Sequence, residues 1–462
     1  MSERTRARPR LGLKNIQGAL AVLALSAACL LAAGVRAHAG DAAFAVSRAV
    51  NIAAWFTWPR YQADGRGIAW PPYKSTPAPP SDVELKALRA AGFDTVRLPV
   101  DPAPFIVFEG RRREAVYAML FDALKRIKAA GLKAIIDIHP NSRHAVWGQD
   151  AVAAGPEAPA FLAVAGVVAD MASRLPAAER SWVALEVLNE PRLKCKGEEQ
   201  DRWQRMARLL VQRARAANPR LALIVSGACI SSPDGLLALD PSSFHDPDIF
   251  YTFHFYEPFS FSHQGAQFIP WPDKYLDGVP WPASARSIDV PLGLLNQRIA
   301  ALPAMDDAAR NQARTGAHHN LKRFYASQAG PETIKARFVQ LRRWAERQGI
   351  SPDHIFNGEF GVVRRSPGAP GAFCPDRLRW LRDVREASEA NGFGWAYFNY
   401  DDGPFGLITD AKQRHFDQGV LSSLGLASIC PIAPLMAGQD QASAHTGSAA
   451  TRDTLCCPMD AR

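Results

Sequence analysis

Beyond its first 39 residues this chain has no basic run to argue for nucleic acid, and no glycine-rich phosphate loop follows its first strand, which argues against a dinucleotide-binding sheet. Cysteine is scarce, seven in 462 residues, and its spacing carries no metal-site pattern. No internal repeat is visible beyond alternating strand and helix units, and the one long apolar run lies at the amino terminus. What is present is a chain 47% hydrophobic and 21% charged. That balance excludes a disordered or collagen-like polymer and supplies an ample core.

The amino-terminal run reads as a targeting signal. Arg4, Arg6, Arg8, Arg10 and Lys14 precede an apolar, small-residue stretch over 19–35, which ends near Ala37, His38 and Ala39. A basic region, an apolar region and a small-x-small site describe a secretory signal peptide over 1–39, with an uncleaved anchor as the alternative. Its removal takes away six basic residues and one acid, so the net charge falls from +9 to +4. The mature chain is then expected to be secreted or periplasmic, with no stable membrane span and no nucleic-acid partner. Six cysteines remain for an oxidising compartment. Cys195 and Cys229 follow consecutive strands, so a bridge between them is reasonable, free thiols being the alternative. Beyond residue 431 the composition turns to Ala, Ser, Thr, Gly, Gln and Asp, and the tail 431–462, with Cys456 and Cys457, is expected to be disordered.

Between these ends, short apolar runs alternate with amphipathic stretches. Strands are expected over 49–55, 94–100, 133–139, 182–189, 221–227, 249–256, 355–361 and 393–399. Helical patterns cover 82–91, 114–130, 160–174, 201–217, 333–348 and 376–390. Repeated strand-then-helix order predicts an α/β fold, a (β/α)8 TIM barrel over 40–430, ahead of an open doubly wound sheet. Pro99, Pro140, Pro191 and Pro258 sit just past the expected strand ends, where they would stop each ladder. A long insertion over about 257–332 follows the sixth strand, and only its last part has a clear helical pattern. Its Phe259, Phe261, Phe268, Trp271 and Trp281 would either stack on sugar rings over a cleft or pack a small subdomain.

Chemistry should gather at the carboxyl ends of the strands. Glu190 and Glu359 end the expected fourth and seventh strands, so both point into one mouth. A carboxylate pair across a cleft suits glycoside hydrolysis, one acid protonating the leaving oxygen while the other attacks or activates water. Arg97 can keep one carboxylate ionised by charge, and Asn189 can bond a sugar hydroxyl. His254 and Tyr256 share a strand face, Tyr256 offering its hydroxyl to the nucleophile. Asp137 and Glu186 lie deeper and are expected to pair with Arg97. A metal-dependent barrel hydrolase built on His139 and His254 lacks a His-x-His pair after the first strand.

Five elements carry a resemblance: Arg97, Leu98 and Pro99; Asp137, Ile138 and His139; Leu188, Asn189, Glu190 and Pro191; His254, Phe255 and Tyr256; and Gly358, Glu359, Phe360 and Gly361. In this order the chain resembles glycoside hydrolase family 5, the cellulase family, over about 51–400. The resemblance implies a retaining double displacement on a β-linked polysaccharide or oligosaccharide, with Glu190 as acid/base and Glu359 as nucleophile. It also implies a supporting shell of Arg97, His139, Asn189, His254 and Tyr256, and no metal or organic cofactor. One position departs: family members usually carry Trp near the end of the eighth strand, and here Phe398 stands in its place, a smaller ring without an N–H. β-1,4-Glucan is the first expectation for substrate. Mannan, β-1,3-glucan, transglycosylation and a non-catalytic glycan-binding barrel are the alternatives.

Overall fold

Eight short runs rich in Val, Ile, Leu, Phe and Ala alternate between two apolar environments, and a closed parallel barrel is the arrangement that buries both faces of every strand. The structure is a computed structural model. It describes residues 44–427 apart from 64–66, 74–77, 142–143, 177–180, 247, 271, 303–304, 367–368, 402 and 410–413. The expected signal segment and carboxyl-terminal tail, Cys430, Cys456 and Cys457, and Trp271 lie outside the described residues.

The strands are β1 (Arg48–Asn51), β2 (Thr95–Val100), β3 (Lys133–Ile138), β4 (Val183–Glu186), β5 (Ala222–Ser226), β6 (Ile249–His254), β7 (Ile355–Phe360) and β8 (Gly394–Tyr397). Each pairs in parallel with the next, and β8 closes onto β1. The (β/α)8 expectation therefore holds strand for strand. Several strands are shorter than their apolar runs: β1 stops at Asn51 and β4 at Glu186, because the residues beyond leave the ladder to build the mouth. Pro99 lies inside β2, contrary to expectation. It faces the side where β1 has already ended, where Thr57 Oγ1 donates to its carbonyl, so no ladder partner awaits its missing N–H.

Outward residues such as Val96, Leu98, Ile136, Leu185, Val225, Phe253 and Trp395 pack on the helical ring. Trp395 is fully buried among them. The helices of the ring and of the insertion include α1 (Asp82–Ala91), α2 (Gly110–Ala129), α3 (Pro159–Arg174), α4 (Gly197–Ala217), α5 (Pro233–Leu237), α6 (Asp289–Ala300), α7 (Asp307–Ala326), α8 (Pro331–Gln348), α9 (Cys374–Ala390) and α10 (Gln418–Ser423). Ser81 caps α1 in a reciprocal box with Glu84, and Gly92 ends it at φ 111°, a conformation open to glycine at little cost. The helices after β5 and β8, α5 and α10, are stubs of five and six residues.

The insertion after β6 is more helical than its sequence suggested, since α6 and α7 both lie within it. The buried face of α7 is Ala313, Ala317, Leu321 and Phe324. Its spacing is helical, but alanine carries half the stripe and leaves a faint apolar signal.

Inside the barrel the layers differ in kind. Phe44, Val46, Ala49, Ile135, Ala184, Ala222, Ile224, Phe250, Phe356 and Ala396 form an apolar plug. Two residues further along the strands, Asn51, Arg97, Asp137, Glu186 and Thr252 form a buried polar layer. Strand β7 breaks the alternation. Its pairing with β6 skips from Phe253↔Asn357 to His254↔Glu359, and its pairing with β8 shifts over the same stretch. Gly358 is the extra residue of a bulge. Through it Phe356 and Glu359, three apart, face the same interior, while Phe360 joins Trp380 and Trp395 outside.

Candidate active site

Arg97, fully buried on β2, organises the mouth. Its Nε and Nη2 donate to the two carboxylate oxygens of Glu186, each at 2.8 Å. Nη1 donates to Asn51 Oδ1 at 2.9 Å and Glu359 Oε1 at 2.7 Å, and Nη2 also reaches Asn189 Oδ1 at 2.8 Å. All five guanidinium hydrogens thus have acceptors, and Asp137 lies 3.1 Å away as a further ion-pair partner. Asp137 and Glu186 are the Arg97 partners the sequence suggested. Burial pushes the Asp137 carboxyl up to about 7 against the pull of Arg97 and raises Glu186 in the same direction.

Glu190 is reached by chain that has left β4. It sits at φ 42°, a left-handed value for a non-glycine residue. Neighbouring loops hold it there. Its N–H donates to Ser231 Oγ at 3.2 Å, Cys229 N–H to Leu193 O at 2.8 Å and Ile230 N–H to Pro191 O at 3.2 Å. Cys195 and Cys229 are disulfide-bonded, with Cα atoms 5.3 Å apart. The bridge joins the loop carrying Glu190 to the loop after β5. Burial raises the Glu190 carboxyl to about 7, opposed first by His139 and then by Arg97.

Glu359, turned inward by the Gly358 bulge, accepts from Arg97 on one oxygen and from the Tyr256 hydroxyl at 3.0 Å on the other. His254 Nδ1 lies 2.9 Å from Glu190 Oε1 and 3.6 Å from Glu359 Oε2, so its ring spans the two acids. Burial lowers His254 to about 4 and holds the Tyr256 phenol protonated. His139 packs beside them, Nδ1 at 2.9 Å from Asp137 Oδ2 and Nε2 at 3.3 Å from the Asn189 amide, with its own pKa lowered by burial.

Glu190, His254 and Glu359 each offer a donor atom within 4.8 Å of the others, a spacing that a cation could bridge. Arg97 already sets a full positive charge against Glu359, however, and His254 Nδ1 is engaged with Glu190. The cluster therefore reads as a carboxylate pair with its own counter-charge.

Residues 97, 139, 189, 190, 254, 256 and 359 thus converge in one mouth. Phe398 joins them from the end of β8, preceding a cis peptide bond to Asn399. Its ring meets Phe405 at 5.8 Å, and Phe405 in turn meets Tyr256 at 5.9 Å and Phe268 at 6.0 Å. The insertion aromatics differ in burial. Phe261 and Trp281 are fully buried, and the Phe261 ring packs against both Trp281 and Trp380, as in a subdomain core. Phe259 and Phe268 are 42% and 54% exposed beside Tyr256 and His263.

Sequence reasoning missed Asn51, whose amide donates to Gly358 O at 3.0 Å and whose oxygen holds Arg97. An inward asparagine ending an apolar strand was the available signal. It also missed Ser231 and Phe405, which only the folded loops bring near.

Comparison with known proteins agrees with the barrel fold. The model of the cellulase family, glycosyl hydrolase family 5, matches residues 61–403. Endoglucanase 3 of Fibrobacter succinogenes is 23% identical over 402 residues, 83% of this chain, and the chain spans about half of that protein, 53%. Endoglucanase C of Acetivibrio thermocellus is 22% identical over 339 residues, covering 72% of this chain and 87% of its own. Among solved structures, a cellulose synthase subunit Z from Clostridioides difficile aligns at TM-score 0.57 and 21% identity, covering 82% of this chain and 99% of its own. Endoglucanase Cel5A of Thermotoga maritima aligns at TM-score 0.56 and 18% identity, covering 82% and 96%. These likenesses are of fold, and the family match spans most of the barrel. The chain belongs to the cellulase family, glycosyl hydrolase family 5.

Proposed function

We propose that this chain is a secreted or periplasmic endo-acting β-glucanase that retains anomeric configuration, with β-1,4-glucan as its substrate. The observation that carries the reading is the approach of the two acids, whose nearest functional oxygens lie within 4.8 Å. Retaining pairs stand about 5–5.5 Å apart, whereas inverting pairs leave about 6.5–9.5 Å for an intervening water. Glu359 Oε2 attacks the anomeric carbon while Glu190, protonated below its raised pKa of about 7, gives its proton to the departing oxygen. The C–O bond to the leaving sugar breaks as the ester bond to Glu359 forms. Water then attacks the same carbon, Glu190 takes its proton, and the glycosyl–Glu359 ester breaks.

The Tyr256 hydroxyl and Arg97 hold the two oxygens of Glu359 in line. Asn189, oriented by Arg97 and His139, keeps one amide hydrogen for a sugar hydroxyl. Phe398 supplies an apolar platform at the reacting sugar, and the exposed Phe259 and Phe268 extend it. Endoglucanase relatives support the glucan assignment. A fold neighbour solved with cellobiose and with mannotriose supports keeping mannan in the test. The disulfide and the basic, apolar amino-terminal segment support export.

The test is hydrolysis of a panel of β-1,4-glucan, β-1,3-glucan and β-mannan, with early products followed by anomeric NMR. The expected result is β-product from β-1,4-glucan, and loss of nearly all turnover with retained binding in Glu359→Gln. Initial α-product, or full activity in that variant, overturns the mechanism.

A further inference from the structure

Glu190 stands in a backbone conformation that its own sequence disfavours. At φ 42° its β-carbon crowds the chain, and Pro191 after it biases any residue in its place toward an extended backbone. An extended Glu190 would turn its carboxylate away from His254, whose Nδ1 lies 2.9 Å from Oε1.

The restraint comes from the loop after β5. Cys229, Ile230 and Ser231 follow one another at φ 55°, 58° and 52°, three left-handed residues in a row and none of them glycine. Such a run is costly for residues with a β-carbon and persists only where its surroundings fix it. Here the surroundings do. Cys229 is disulfide-bonded to Cys195. Its N–H donates to Leu193 O at 2.8 Å, and that of Ile230 to Pro191 O at 3.2 Å. At the base of the loop Gly227 and Gly235 meet backbone to backbone, since a β-carbon on Gly227 would lie 2.0 Å from the Gly235 carbonyl carbon. Behind the turn, Ser232 Oγ accepts the Gly235 N–H at 3.3 Å and caps α5.

The left-handed run ends on Ser231, which is fully buried and whose Oγ accepts the Glu190 N–H at 3.2 Å. Among the described residues that N–H has no other protein acceptor. An extended Ser231 would aim its oxygen elsewhere, so the run is what delivers the acceptor.

We propose that Ser231 is a positioning residue for the acid/base step: by accepting the Glu190 N–H, it holds that residue in the conformation from which its carboxyl reaches the glycosidic oxygen. The inference rests on Glu190 being the acid/base group and adds the means by which its backbone is held. Ser231 is buried and does not meet the sugar. Loss of its hydroxyl therefore leaves sugar binding alone and misplaces the proton donor. The reaction then suffers in proportion to its need for a proton.

The experiment compares Ser231→Ala with Ser231→Gly on aryl β-glycosides of the oligosaccharide that the parent cleaves, with leaving groups from dinitrophenolate to unsubstituted phenolate. Both variants lack the acceptor. Ser231→Gly also adopts a left-handed conformation without cost, so it keeps the turn where Ser231→Ala folds poorly. The readout is kcat/KM, which reports formation of the ester at Glu359. It is expected to fall roughly 10- to 50-fold for phenolate, whose departure needs the proton, and to stay within about twofold for dinitrophenolate, which departs without it. A fall shared equally by both leaving groups, as a smaller folded fraction would give, or no fall on phenolate, overturns the proposal. Glu190→Gln separates the two layers. Steep leaving-group dependence there with a parental one in Ser231→Gly strikes the positioning role alone, whereas parental dependence in Glu190→Gln removes the acid/base assignment.

Discussion

At the scale of single residues, Arg97 shows why the site tolerates so little change. Its five hydrogens are all committed and three of its partners are carboxylates or carboxylate supports at 2.7–2.8 Å. Arg97→Leu leaves Glu186 and Glu359 buried without their counter-charge, and about 3–5 kcal/mol of stability should be lost in urea unfolding. Arg97→Lys keeps the charge but offers three donors on a flexible stem, so its folded form should still lose kcat. For Glu190→Gln, hydrolysis of natural glycans should fall about 10²- to 10⁴-fold, with substrates bearing an activated phenolate largely spared in the first step. A carboxyl raised to about 7 holds its proton below that pH and gives it up above, so kcat/KM should fall about tenfold per unit on the alkaline side of about 7. An alkaline limb near 4.5 would contradict this. Glu190 and Glu359 were legible because charged side chains ending apolar strands demand an explanation, and Arg97 because a charge within such a strand demands one too. Asn51 was less legible, since a neutral side chain within an apolar run carries no charge that calls for a partner. Its role depends on Arg97 crossing from the neighbouring strand.

At the scale of elements, the loops after β4 and β5 form one clamp around Glu190. Cys195 and Cys229 are 34 residues apart in sequence, so the bridge should contribute roughly 3–4 kcal/mol by loop-closure entropy. The double variant Cys195→Ser, Cys229→Ser should lose stability of that order in urea. Its kcat should drop more than its KM rises, because the loop it frees carries an acid and not a sugar platform. Phe398, at the other side of the mouth, should behave in the opposite sense. Phe398→Ala should raise KM about two- to tenfold, the worth of an aromatic contact, and Phe398→Trp should restore binding. Strands and barrel helices were readable because their apolar periods are strong. The insertion helices α6 and α7 were not, because α6 buries only Pro291, Leu295 and Ile299 and half the buried face of α7 is alanine. The local order of Phe259, Phe261, Phe268 and Trp281 did not reveal which rings would be buried, since that depends on Trp380 in α9.

At the scale of the whole molecule, the barrel separates what holds it together from what it does. Phe356 sits in the apolar plug and Glu359 in the mouth, on the same strand and the same side. Phe356→Ala should lower stability by about 3–5 kcal/mol while leaving kcat/KM at 25 °C close to the parent's, measured by thermal unfolding and initial rates. A parallel loss of activity would show the two layers to be coupled. Eight near-equivalent strands could be read from sequence as a ring, yet a ring by itself has no front door. Among the described ladders, the only irregular pairing lies where β7 meets β6 and β8. An engineer who forced that strand into strict alternation while keeping every residue would gain a tidier sheet. The carboxylate would then be delivered to Trp380 and Trp395 on the greasy outer wall, and the reaction centre would be gone.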